Sequence, residues 1–189
     1  MKYLVMTSLV FLATASMAGE AGKTDTGLQY NYLEVDYSTA TVSSKAYTGY
    51  YTSGSFLINE NIYALANMAS YTKSGSSAYD KTNIGIGYRM PIAPAADLQT
   101  SLAYYSQTYS GNSTGYNLSV GARAKLTDQA DVSGTYSYIG VGSKGYSNFN
   151  LGVKYAFTDM FYASGGYQSQ SGGSTSFTSA YVIGLGLKF

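Results

Sequence analysis

The chain contains no cysteine, no histidine and no tryptophan, and only two prolines. Without cysteine there are no disulfides, which a soluble secreted protein of this size could manage without and a closed barrel does not need. Without histidine the commonest general base and metal ligand are missing. The sequence accordingly assigns no catalytic residue, no metal ligand and no cofactor. Charge is scarce, at 11% of residues. Beyond the first 18 residues no apolar run approaches the roughly 20 residues that a membrane-spanning helix requires. Disorder is excluded as well, because the chain is low in Pro and rich in Tyr and β-branched residues.

The N-terminus has a positive start at Lys2, an apolar run from Tyr3 to Ala15, and small residues Ser16 and Ala18 at the minus-three and minus-one positions of a cleavage site. This is a secretory signal peptide over residues 1–18, cut after Ala18. No cysteine follows the cut, so a lipoprotein is excluded. Removing Lys2 leaves ten basic residues against ten acidic ones. That neutral balance argues against a nucleic-acid partner or a polybasic lipid-binding surface.

What the chain has in quantity is Gly and Tyr, 22 of each. They sit in segments that alternate apolar and polar residues, the period of a strand with two unlike faces. Residues 19–27 read as a periplasmic lead-in. Ten strands follow over 28–189: Leu28 to Tyr37, Tyr47 to Ile58, Ile62 to Tyr71, Thr82 to Met90, Leu98 to Tyr109, Gly115 to Leu126, Ala130 to Ile139, Tyr146 to Phe157, Phe161 to Gln168 and Ala180 to Phe189. Eight strands is the alternative if the first hairpin is misread. The sixth strand is the clearest: Tyr116, Leu118, Val120, Ala122, Ala124 and Leu126 alternate with Asn117, Ser119, Gly121, Arg123 and Lys125. Short turns carrying Glu60, Asp128 or Asp159, and a Pro91 to Asp97 connection holding both prolines, alternate with longer Ser/Gly/Lys loops.

Facing decides the solvent. The polar faces carry small groups such as Ser119, Ser133 and Asn150; the apolar faces carry larger ones such as Leu118, Leu151 and Ile183. A narrow barrel can hold the small polar set inside and must put the large apolar set outside. The expected fold is therefore all-β, an antiparallel transmembrane β-barrel with short periplasmic turns and longer outer loops. An even strand count leaves both ends on the periplasmic side. Tyr37, Tyr88, Tyr116, Tyr155 and Tyr181 suit the interfacial girdles.

The last strand ends on an aromatic. Tyr181, Ile183, Leu185, Leu187 and Phe189 share one face, with Gly184, Gly186 and Lys188 on the other. This resembles the C-terminal assembly signal of Gram-negative outer-membrane barrels. The resemblance implies recognition by the barrel assembly machinery, with periplasmic chaperones as partners during export. From Leu28 onward, Leu28-Gln29-Tyr30-Asn31-Tyr32-Leu33-Glu34, then Asn83-Ile84-Gly85-Ile86-Gly87-Tyr88, and the final strand are similar to the small outer-membrane proteins of the Ax21 family. That resemblance implies the fold and a place in the cell outer membrane, in contact with its lipid, and no defined activity.

Chemistry is thin. Gly140, Gly142 and Gly145 form a GxGxxG, but between two strands with no helix to follow, so it reads as a hairpin loop. A Ser–Lys arrangement would need Lys125 or Lys154 beside Ser133 or Thr135. The informative set is the inward charges: Glu34, Asp36, Arg89, Arg123, Lys125, Asp131, Lys154 and Lys188. Paired, they fix strand register; unpaired, the basic ones would form a constriction favouring anions. Two function classes stay open. One is an integral barrel with a structural or surface-interaction role, its surface ligand unknown; the other is a narrow, porin-like pore for small solutes. A barrel hydrolase and a secreted fibre subunit rank below both.

Overall fold

A computed structural model describes residues 26–42, 45–73, 76–108, 112–172 and 177–189. The segment expected to be a signal peptide, residues 1–18 with Ser16 and Ala18, lies outside the described residues. Ten strands form one closed antiparallel barrel, each bonded to its chain neighbour, with the last returning to the first. They are β1 (Tyr32–Val42), β2 (Lys45–Leu57), β3 (Ile62–Lys73), β4 (Ser76–Ala93), β5 (Ala96–Thr108), β6 (Asn112–Lys125), β7 (Ala130–Val141), β8 (Lys144–Ala156), β9 (Phe161–Ser171) and β10 (Phe177–Lys188). Closure pairs β1 with β10, from Tyr32 opposite Lys188 up to Val42 opposite Phe177. With no free edge, the ladders satisfy the backbone groups that lipid could not.

The faces are inverted relative to a soluble barrel. On β1, Leu33 and Val35 are about half exposed, 51% and 50%, while Glu34 and Asp36 between them are 8% and 1% exposed. The same alternation runs round the wall. Ile84, Ile86, Leu102, Leu151, Val153, Ile183 and Leu185 point outward, whereas Ser53, Ser55, Ser137 and Ser164 are buried inside. Outward aromatics also pair: Phe157 with Phe161 at 6.4 Å beside the turn after β8, and Tyr37 with Tyr50 at 6.2 Å at mid-strand, so Tyr37 does not lie at a strand end as a girdle residue would.

Three of the short turns use one device. In the turn after β2, Asn59 Oδ1 accepts from the backbone N–H of Asn61 and Ile62. After β6, Thr127 Oγ1 accepts from Gln129 and Ala130, and after β8 Thr158 Oγ1 accepts from Met160 and Phe161. A short polar side chain at the first turn position thus replaces the missing ladder partner.

Two details differ from the sequence reading. The segments read as longer loops are mostly strand. β4 runs 18 residues and β1 runs on to Val42, so strands exceed the roughly 9–11 residues needed to cross. Ser- and Thr-rich stretches were read as loops from composition, but a partner strand in register is enough to keep them extended. Pro91 lies within β4 rather than between strands, and the register shifts between Pro91 and Ala93. A bulge is where a residue without an N–H is tolerated.

Candidate functional site: the barrel lumen

The first strand starts late, and this shapes the lumen. Leu28 and Tyr30 are not in the ladder, which begins at Tyr32. Residues 26–31 turn inward instead, leaving Thr26, Leu28 and Tyr30 at 3%, 5% and 2% exposure. Alternation alone could not distinguish a strand from an extended segment lying inside the wall. The turn into the lumen is made at Gly27, whose φ is +63°. A side chain there would be strained, and its Cβ would meet the Lys125 ammonium.

Tyr30 forms the centre of a floor at the end of the barrel that carries the short turns. Its hydroxyl donates to Asp97 Oδ2 at 2.8 Å and accepts from Gln99 Nε2 at 2.7 Å. The guanidinium carbons of Arg89 and Arg123 lie 5.0 and 5.6 Å from its ring centre, a doubled cation–π contact. Burial, and then the charge of Asp97, push the Tyr30 hydroxyl above its usual range, so it stays a donor. Arg123 makes a two-pronged pair with Asp131, at 2.9 and 2.8 Å, and uses its remaining Nη1 on the Gln29 carbonyl at 2.6 Å. Arg89 pairs with Asp97 at 3.3 Å and donates Nε to the Glu60 carbonyl at 2.7 Å.

Beside the floor, side chains cross the closure seam. Lys154 Nζ on β8 lies 2.8 Å from Glu34 Oε2 on β1, a charge contact rather than an aligned hydrogen bond. Lys154 also donates to the Tyr162 hydroxyl at 3.2 Å and sits 3.8 Å from the centre of the Tyr32 ring. Ser164 on β9 donates to Asp36 Oδ1 on β1 at 2.6 Å. These contacts pass over β10, which offers Gly184 and Gly186 there. A Cβ at Gly184 would collide with the Asp36 carboxylate, and one at Gly186 with the Tyr162 ring. The inward glycines of the last strand are thus spaces that neighbouring side chains occupy.

The outer end carries a second layer. Tyr105, fully buried, receives a hydrogen bond from Tyr146 across the lumen. Gln107 Oε1 accepts from Tyr105 at 3.0 Å and from Tyr79 at 3.3 Å. Tyr79 stacks on Tyr71, which bonds Ser38 at 3.2 Å. The chain of contacts therefore reaches from β8 across to β1. Between floor and ceiling lie neutral small groups, with Ser101 bonded to Ser119 and Asn117 to Asn83. The cavity left there is about 300 Å³.

The inward charges read from alternation are brought together here. Arg123 with Asp131 and Glu34 with Lys154 are paired, Asp36 is bonded to Ser164, Arg89 is bound in the floor, and Lys125 and Lys188 stand half-buried at the rim. Asp97, read as a turn residue, is instead fully buried and partners Arg89. Extending the parity of Gln99, Ser101 and Ala103 by one step would have placed it inside. Lys154 is turned to Glu34 and Tyr162, not to Ser133 or Thr135. On β10, Tyr181, Ile183 and Leu185 face outward at 63–68% exposure, with Phe189 at the rim. Among the described residues no group of three or more acidic side chains could hold a metal ion.

Solved structures similar to this chain include the KdgM porin in complex with disordered oligogalacturonate, 9% identical, at a TM-score of 0.51 over 84% of this chain and 99% of that one. The N-terminal barrel domain of Pseudomonas aeruginosa OprF is 15% identical at 0.42, over 86% of this chain and 100% of that one. Yersinia pestis Ail, the attachment invasion locus protein, is 11% identical at 0.44, over 86% and 100%. At 9% identity the likeness to the KdgM porin concerns the fold alone. No curated protein matches the sequence. Residues 4–157 match the family described as the outer membrane protein beta-barrel domain, and the chain belongs to that family.

Proposed function

We propose that this protein is a small integral outer-membrane barrel with a structural or surface-interaction role, closed to solutes at rest and without catalysis. The observation that carries the reading is the lumen. A Tyr30–arginine floor and a tyrosine ceiling bracket a cavity of about 300 Å³. Three of the inward cations are paired with carboxylates in the wall, which is how charges fix register rather than select ions. The absence of His and the engagement of Lys154 by Glu34 weigh against hydrolysis. Export by cleavage after Ala18, delivery by periplasmic chaperones and recognition of the Phe189 strand by the assembly machinery complete the proposal, with the Ax21 proteins as the finer grouping. Planar-bilayer recording tests it: no stepwise current at high salt is expected, and steady channels from the native protein would overturn it.

The second reading is a narrow pore with weak anion preference. It is favoured by the inward basic set at the periplasmic end, where Arg89, Arg123, Lys125, Lys154 and Lys188 outnumber Glu34, Asp36, Asp97 and Asp131. If current is seen, Arg123→Ala with Lys154→Ala should lower anion preference; unchanged selectivity would return both residues to structure.

A further inference from the structure

We infer that residues 26–30 are a removable stopper, seated in a site that the barrel wall completes without them. Its withdrawal would open the lumen to the periplasm. The charge pairs around the segment belong to the wall. Arg89–Asp97 joins β4 to β5, and Arg123–Asp131 joins β6 to β7; both arginines and both acids are wall residues. Removing the segment therefore strands no buried charge, the usual reason an internal segment cannot leave. Three of the hydrogen bonds that the segment makes are exchangeable with water: those of the Tyr30 hydroxyl with Asp97 and Gln99, and that of the Gln29 carbonyl with Arg123.

The segment also has a fixed end. The Asn31 carbonyl accepts from the Phe189 N–H at 3.2 Å, and Asn31 Oδ1 accepts from the Leu57 N–H at 2.7 Å. Asn31 is thus tied to both strands flanking β1, and Tyr32 begins the ladder. Chain movement would start at Tyr30. What holds the stopper in place at rest is the packing of Leu28 and Tyr30 on Tyr63, against Leu57 and Leu65, together with the ring beneath two guanidiniums. The floor is consequently a receptor for a short aromatic peptide segment, occupied by the chain's own.

Because the chain has no cysteine, a single thiol can report on the lumen. Ser133 lines the cavity one inward position beyond the Asp131 pair. Ser133→Cys would be treated with a small charged methanethiosulfonate in the folded protein, alone and with Tyr30→Phe or Tyr30→Ala. Heat-modifiable gel mobility confirms that each variant is a barrel. Tyr30→Phe keeps the ring and loses both hydroxyl bonds, and should speed labelling about tenfold, equivalent to about 1.4 kcal/mol. Tyr30→Ala should speed it further. This inference rests on the closed-lumen reading, and the two fail differently. Labelling of the native background at the rate of a free thiol would overturn both. Equal, slow labelling in all three proteins would leave the lumen closed and overturn the stopper.

Discussion

Replacing Lys154 by Met removes one half of the charge contact across the closure seam. The two charged atoms are 2.8 Å apart, with the Lys154 and Glu34 side chains 18% and 9% exposed. At an effective dielectric near 20, that separation corresponds to about 6 kcal/mol of attraction before desolvation is subtracted. Breaking a buried pair by removing one partner costs about 3–5 kcal/mol, mostly because the remaining charge is left without compensation. Lys154 is partly exposed and the contact is not an aligned hydrogen bond, so about 2–3 kcal/mol is the expected loss in Lys154→Met. Glu34→Gln in the same background removes the stranded carboxylate and should recover about 1.5 kcal/mol. The cation–π contact of Lys154 with Tyr32 is lost in both Lys154 variants and cancels in the cycle. Urea unfolding in detergent micelles, followed by tyrosine fluorescence and by gel mobility, measures all four proteins. Strict additivity of the two single substitutions would refute the pair as a seam contact, as would a loss under about 1 kcal/mol for Lys154→Met.

Other expectations follow from the same geometry. Gly186→Ala places a methyl group into the Tyr162 ring and should cost about 1–3 kcal/mol in the same unfolding assay. Shortening Tyr162 to Ala should make that substitution nearly silent. Tyr146→Phe deletes the hydroxyl that bridges to Tyr105 and should lower stability by about 1 kcal/mol. It should also raise solvent exchange of the Tyr105 hydroxyl, measurable by NMR; unchanged exchange would mean the ceiling is held by packing alone. Deleting Phe189 should reduce the heat-modifiable, membrane-inserted fraction while cleavage after Ala18 proceeds, and normal insertion would remove the residue from the assembly signal.

Much of this was legible residue by residue. The sixth strand alternates cleanly, and the seventh and eighth do so except at their outer ends, where Ile139 and Tyr146 turn inward, so facing follows from parity, and with it the inward positions of Arg123, Asp131 and Lys154. The pairing of Arg123 with Asp131 was nearly readable too, because a short turn returns one strand beside the other. Glu34 with Lys154 was not, since 120 positions separate them and only closure of β1 on β10 brings them within reach. Tyr30 was misread as strand because a segment lying inside the wall can carry the same alternation as one within it.

The sequence by itself determined the solvent on each side of the wall. A period of two sorts side chains into two sets, and only the small polar set fits within a narrow barrel, so the large apolar set must face lipid. It also determined where the chain turns, through Asn59, Thr127 and Thr158, since each turn is local. Tertiary structure alone decided what closes the lumen. The Tyr30 floor, the seam contacts over Gly184 and Gly186 and the tyrosine ceiling all join residues far apart in sequence. Their meeting depends on curvature and register, which no local pattern carries.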